Sequence, residues 1–101
     1  MHMGRLRKHR RVGFNPEVTF FKPQGVPMTQ LEEINLSADE LESLRLTALQ
    51  GLNQAEAALK LGVHQSTLHR TLVRAEAKIA DALVNGKAVR LETQRTMILD
   101  E

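Results

Sequence analysis

The stretch that most constrains this chain is residues 54–73, QAEAALKLGVHQSTLHRTLV. Ala58 stands four residues before Gly62, Leu61 and Val63 flank the glycine, and Leu68 follows six residues after it. That spacing predicts two short helices packed across a tight turn. Ala58 is small enough to let the second helix approach, and Gly62 can take a left-handed conformation that strains a residue with a Cβ. Leu61, Val63 and Leu68 then fill the angle between the helices. The expected motif is a helix-turn-helix, which lays its second helix in the DNA major groove.

The flanks carry matching start and stop signals. Ser37 and Glu40 have capping-box spacing, and Leu36 with Leu41 has the spacing of a hydrophobic staple. A helix is expected from there to about Gln50, stopped by Gly51, with Leu41, Leu44, Ala48 and Leu49 on one face. Asn53 and Glu56 repeat the capping-box logic and open a helix through Lys60. After Gly62 a long helix is expected from about Gln65 to Val84, closed by Asn85 and Gly86, with a stripe of Leu68, Leu72, Ala75, Ile79 and Ala82. The first half of that stripe packs on the two preceding helices. Beyond Lys78, Ile79 and Leu83 need a β-hairpin, the N-terminal segment or a second subunit to cover them, which argues for a homodimer.

Outside this core the pattern changes. Residues 1–17 contain Gly4, Gly13 and Pro16 and hold no helical or strand period, so they read as a flexible basic arm. Residues 18–21 (VTFF) are a short β-prone run ended by Pro23 and Gly25. Residues 29–36 are ambiguous: Thr29 and Glu32 could cap a short helix, while Ile34 and Leu36 alternate like a strand. The helical turn is the favoured reading. Residues 88–92 (AVRLE) alternate and would pair with 18–21 as a small two-stranded β element. The expected organisation is an arm at 1–17, a mainly α helix-turn-helix domain at 18–92 with its core at 37–84, and a mobile tail at 93–101.

Composition narrows the function classes. The absence of Cys excludes disulfides, thiolate metal sites and Cys nucleophiles, and the absence of Trp and Tyr leaves an aliphatic core suited to helix-on-helix packing. No apolar run approaches the roughly 18 residues a membrane span needs, so the cytoplasm is the default compartment. The net charge of +2 is unevenly spread. Arg5, Arg7, Lys8, Arg10 and Arg11 crowd the start, Glu32, Glu33, Asp39, Glu40 and Glu42 form an acidic block, and Lys60, Arg70, Arg74 and Lys78 make the motif basic again. Two basic zones around an acidic block suit a protein that presents chosen faces to a polyanion.

The order of elements adds a resemblance. A capped helix ending LRLTALQGL, then NQAEAALKLGV, then HQSTLHRTLVRAEAKIADAL resembles region four of bacterial sigma factors, a helix-turn-helix that reads promoter DNA. With RKHRRV, PEVTFFKPQGVPM and NGKAVRLE on either side, nearly the whole chain resembles an uncharacterised family of small prokaryotic predicted DNA-binding proteins. Members of that family often carry cysteines among the N-terminal arginines. Here His9 and Gly13 stand in that neighbourhood, so no thiol-based role transfers. His64 also starts the recognition helix where related motifs have a Ser cap, and imidazole is a poorer N-cap.

With Leu68 and Leu72 facing the core, Ser66, His69, Arg70 and Val73 point outward, flanked by Gln65 and Arg74. Arg can bind guanine bidentately, Gln can bind adenine, and Ser bonds to either, so Gln65, Ser66, His69, Arg70 and Arg74 are the candidate DNA contacts. The alternative is an ordinary solvated helix face. Backbone N–H groups at Gln54 and Ala55 would meet a phosphate. The arm cations would enter a minor groove, bind backbone nonspecifically or simply solubilise the chain. The His64–His69 spacing does not suit a zinc helix, and no nucleophile motif or phosphate loop is present, so neither metal, cofactor nor catalysis is expected. Glu40, Glu42 and Glu56 are explained by capping or solvent exposure. The leading expectation is a regulator that binds double-stranded DNA. The alternatives are an RNA-binding accessory protein, or a module that presents its acidic helix to transcription machinery.

Overall fold

A computed structural model describes residues 19–92 of the chain. The N-terminal arm, with Arg5, Arg7, Lys8, Arg10 and Arg11, and the tail at 93–101 lie outside the described residues. Three α-helices and a three-stranded sheet make up the described part. Strand β1 (Phe20–Phe21) leads through a 3-10 turn (Met28–Gln30) to β2 (Glu33–Leu36). Helices α1 (Ala38–Leu44), α2 (Gln54–Leu61) and α3 (Gln65–Asn85) follow, and β3 (Ala88–Leu91) closes the order.

Each helix start obeys the chemistry of its flanking residues. Ser37 accepts from the Glu40 N–H while Glu40 accepts from the Ser37 N–H, and Asn53 and Glu56 form the same reciprocal box before α2. His64 has the extended backbone of an N-cap but makes no side-chain capping bond, as an imidazole there implies. At the other end of α2, Gly62 turns left-handed at φ 81° and donates its N–H to Ala58 and Leu59. A Cβ at that φ would crowd the following carbonyl.

The sheet corrects two sequence expectations. Residues 33–36 form a strand rather than a continued helical turn; only Met28–Gln30 is helical, with Pro27 as an N-cap lacking a side-chain bond. The sheet therefore has three strands in the order β1-β3-β2, not two. The expected pairing of these two runs is present and is antiparallel, Phe20 opposite Arg90 and Phe21 opposite Val89. β2 adds to the other edge of β3 in parallel, with Ile34 opposite Val89 and Leu36 opposite Leu91. A parallel partner needs a long crossover, and here all three helices supply it. Local alternation over four residues could not reveal that pairing.

The end of the first helix also differs. Beyond Leu44 the helix widens into a π turn (Arg45–Leu49), with Gln50 N–H bonded to the Arg45 carbonyl at 2.9 Å, before Gly51 stops it at φ 80°. Leu46 is buried (1% exposed) against α2 and α3, while Leu49 lies on the face of Leu41, Leu44 and Ala48, as expected, but is 80% exposed because that face opens into a trough there.

Two apolar clusters result, and α3 joins them. Its first half places Leu68 against Leu46, Ala57, Ala58 and Leu61, with Leu52 and Val63 packed alongside. Its second half places Ala75 and Ala82, with Ile79, against Leu36, Val89 and Leu91 of the sheet and Leu41 and Leu44 of α1. The sheet thus partly covers Ile79, in the place where the sequence suggested a β-hairpin. Leu83 remains 79% exposed.

Candidate nucleic-acid interface

The two helices across Gly62 set one exposed face. Burial of Leu68, Thr71, Leu72 and Ala75 fixes the rotation of α3 and turns Gln65, Ser66, His69, Arg70, Val73 and Arg74 to solvent. A shallow groove lined by Gln54, Gln65, Ser66, His69 and Arg70 runs between the start of α2 and the first turns of α3. Five of the residues singled out in the sequence therefore converge on one surface.

The electrostatics of that surface favour an anion. The α2 capping box takes up the N–H groups of Asn53 and Glu56, and those of Gln54 and Ala55 have no intrahelical acceptor. The start of α3 has no side-chain cap and no acid in its first turn, so the positive end of a 21-residue helix is uncompensated there. His64, His69, Arg70 and Arg74 add side-chain donors, and no acid intervenes on α3 before Glu76. Among the described residues Arg70 makes only a long side-chain contact, Nη2 to Thr67 Oγ1 at 3.4 Å, so its guanidinium keeps donors for a ligand.

Arg74 differs from Arg70. Its Nε lies 3.4 Å from Glu40 Oε2, and Lys78 Nζ lies 2.8 Å from Glu40 Oε1 and 2.8 Å from the Asn35 carbonyl. Burial pushes the Glu40 carboxyl up; the Lys78 ammonium and the bonds from Ser37 more than reverse this and hold it below the ordinary carboxylate range. Glu40 caps α1 as expected; at 2% exposed, neither it nor Glu42 is the solvated acid that the other alternative supposed. Glu42 receives a bidentate bond from Arg45 at 2.7 and 2.8 Å, and that bond raises the Arg45 pKa.

Sequence reasoning missed the link from Glu40 to Arg74 and Lys78. The residues stand 34 and 38 positions apart, and only the packing of α1 on α3 brings them together. The rest of the acidic block is similarly engaged: Glu33 with Arg90 at 3.0 Å, and Glu32 with Lys87 at 3.2 Å. Arg90 also lies 4.6 Å over the Phe20 ring. The block thus ties helices and strands together and offers less free charge to a partner than its sequence suggests. Among the described residues no cluster of His, Asp or Glu has the arrangement of a metal site, and no helix is long and apolar enough to cross a membrane.

Comparison with known proteins places this chain in a family. Residues 1–97 match the model of the family described as protein of unknown function DUF134. A UPF0251 protein of Desulforudis audaxviator is 48% identical over 90 residues, which cover 89% of this chain and 59% of that relative. One from Moorella thermoacetica is 52% identical over 83 residues, 82% of this chain and 56% of the relative. A third, from Thermoanaerobacter pseudethanolicus, is 48% identical over 99 residues, 98% of this chain and 84% of the relative. The chain therefore spans little more than half the length of some relatives. No solved structure matches it significantly.

Proposed function

The chain belongs to the DUF134 family, and we propose that it is a sequence-specific DNA-binding protein acting in transcription regulation. In this reading α2, the Gly62 turn and α3 are a helix-turn-helix of the sigma region-four kind, and α3 enters the major groove. The observation that carries the reading is the convergence of Gln54, Gln65, Ser66, His69 and Arg70 on one groove at two helix N-termini. Arg70 and Gln65 would meet base edges, Ser66 and His69 would flank them, and the N–H groups at the start of α2 would hold a phosphate. Arg74, tethered to Glu40, would act as a fixed cation facing the backbone. The arm cations Arg5, Arg7, Lys8, Arg10 and Arg11 would add sequence-independent attraction.

The test is selection of bound genomic fragments by the purified chain, followed by shift assays on the recovered site with parallel titration of structured RNA. A recurring duplex sequence is expected, and Arg70→Ala should weaken binding to it by about 1–3 kcal/mol. No enriched sequence, or a preference for RNA that disappears on removing residues 1–11, would replace this reading with an RNA-binding one.

A further inference from the structure

An open trough of about 690 Å³ lies between the π turn and the second half of α3, with the sheet as its floor. Its lining is apolar apart from Arg45, whose guanidinium is bonded to Glu42. Leu49 from the π turn and Leu83 from α3 border it at 80% and 79% exposed. We propose that residues 97–99 of the same chain cover this trough, carried there by residues 93–96 alongside α1.

Three observations converge on this segment, and none depends on DNA binding. The first is where the chain leaves the sheet. The Glu92 N–H donates to the Leu36 carbonyl at 2.9 Å, and the Ala38 N–H donates to Glu92 Oε1 at 3.3 Å. Leu36 and Leu91 both line the trough. Residue 93 therefore starts at the edge of the trough, beside the first turn of α1.

The second is reach. Leu49 stands eleven residues beyond Ala38, about 16 Å along the helix. Met97 stands five residues beyond Glu92, up to about 17 Å of extended chain. The segment thus becomes apolar where the trough is most exposed. Met97, Ile98 and Leu99 are three apolar side chains in succession, whereas residues 1–18 hold no two adjacent ones.

The third is the order of charges. Along α1 and the π turn an acid, Asp39, comes early and a cation, Arg45, comes late. Along the segment Arg95 comes early, and Asp100 and Glu101 follow the apolar triplet. Laid parallel to α1, the segment sets opposite charges against each other at both ends. A guanidinium has five N–H donors, so Arg45 can hold a second carboxylate beside Glu42.

The absence of Cys from the sequence makes a cross-linking test clean. Ile98→Cys is combined in the full chain with Leu83→Cys or, as control, with Val84→Cys, and each pair is oxidised in dilute solution. Val84 adjoins Leu83 and is 80% exposed, yet it lies outside the trough lining. A covered trough brings positions 98 and 83 within disulfide range. The Leu83 pair should then close within one chain about tenfold faster than the Val84 pair. Equal rates overturn the proposal, because a segment without a seat samples both positions alike. Disulfides between chains overturn it in favour of a second copy.

Thermal unfolding gives a second readout. Ile98→Asp should lower Tm by about 4–8 °C. Leu83→Ala should lower Tm in the otherwise wild-type chain but not in the Ile98→Asp chain, since the two positions share one contact. An unchanged Tm for Ile98→Asp overturns the proposal as well.

Discussion

Lys78 Nζ lies 2.8 Å from Glu40 Oε1, and the same carboxylate meets Arg74 through its other oxygen at 3.4 Å. One acid, 2% exposed, thus serves three ends. It completes the α1 capping box, ties α1 to the middle of α3, and aims a guanidinium along the exposed face. Replacing it by Gln keeps a capping oxygen and removes the charge. Glu40→Gln should therefore lower stability by about 1–2 kcal/mol without unfolding the domain, as measured by urea unfolding at neutral pH.

The pH dependence of that difference has a fixed sign. The folded carboxyl is held below the ordinary range by Lys78 and Ser37 against the opposing effect of burial. Its contribution is fully present above the carboxylate pKa of the unfolded chain and is lost as pH falls through the folded value. The wild-type advantage over Glu40→Gln should hold from neutral pH down to the ordinary carboxylate range and shrink only below it. An advantage that stays constant down to low pH would show that the charge contributes nothing.

Gly62 joins α2 to α3 at φ 81°, with its N–H committed to Ala58 and Leu59. Gly62→Ala should cost about 1–2 kcal/mol because the methyl must be carried in the left-handed region. Ala58→Leu should cost a similar amount or more through overpacking at a site 4% exposed. Thermal unfolding of each variant checks both. A neutral Gly62→Ala would mean that the turn relaxes to another conformation.

The helical part of the fold was legible because its signals are local. Both capping boxes, the glycine stops after Gln50, Leu61 and Asn85, and the Leu68–Ala82 stripe each lie within a few residues of the backbone they determine. The parallel partner of β3 was not, because the Ile34–Val89 pairing spans the whole helical region and a four-residue strand carries little periodicity of its own. The outward face of α3 was readable for the same reason as the stripe, as its complement. The Glu40–Lys78 contact was not, since a capping role already accounted for Glu40 and nothing local pointed to a second partner.

Leu46 and Leu49 differ in what covers them. Leu46 packs on Ala57, Ala58, Leu61 and Leu68, whereas Leu49 shares an open trough with Leu41 and Leu44 and stays exposed. Leu46→Ala should cost about 2–5 kcal/mol. Leu49→Ala should stay within about 0.5 kcal/mol when measured in the Ile98→Asp chain, where residues 97–99 do not contribute. Equal losses at the two positions would show that Leu49 is covered in solution.

Arg70 and Arg74 stand four residues apart on α3 and should behave differently on DNA. Arg70 keeps free donors beside Gln65 and Ser66, whereas Arg74 is drawn toward Glu40. A base contact discriminates among sequences, while a backbone contact contributes equally to all of them and appears in the salt dependence. Arg74→Ala should weaken specific and random duplexes by similar factors and reduce the slope of log affinity against log salt by about one. Arg70→Ala should instead narrow the gap between specific and random duplexes. Binding isotherms for both variants on both duplexes at several salt concentrations separate the roles, and identical behaviour would remove the assignment of Arg70 to base reading.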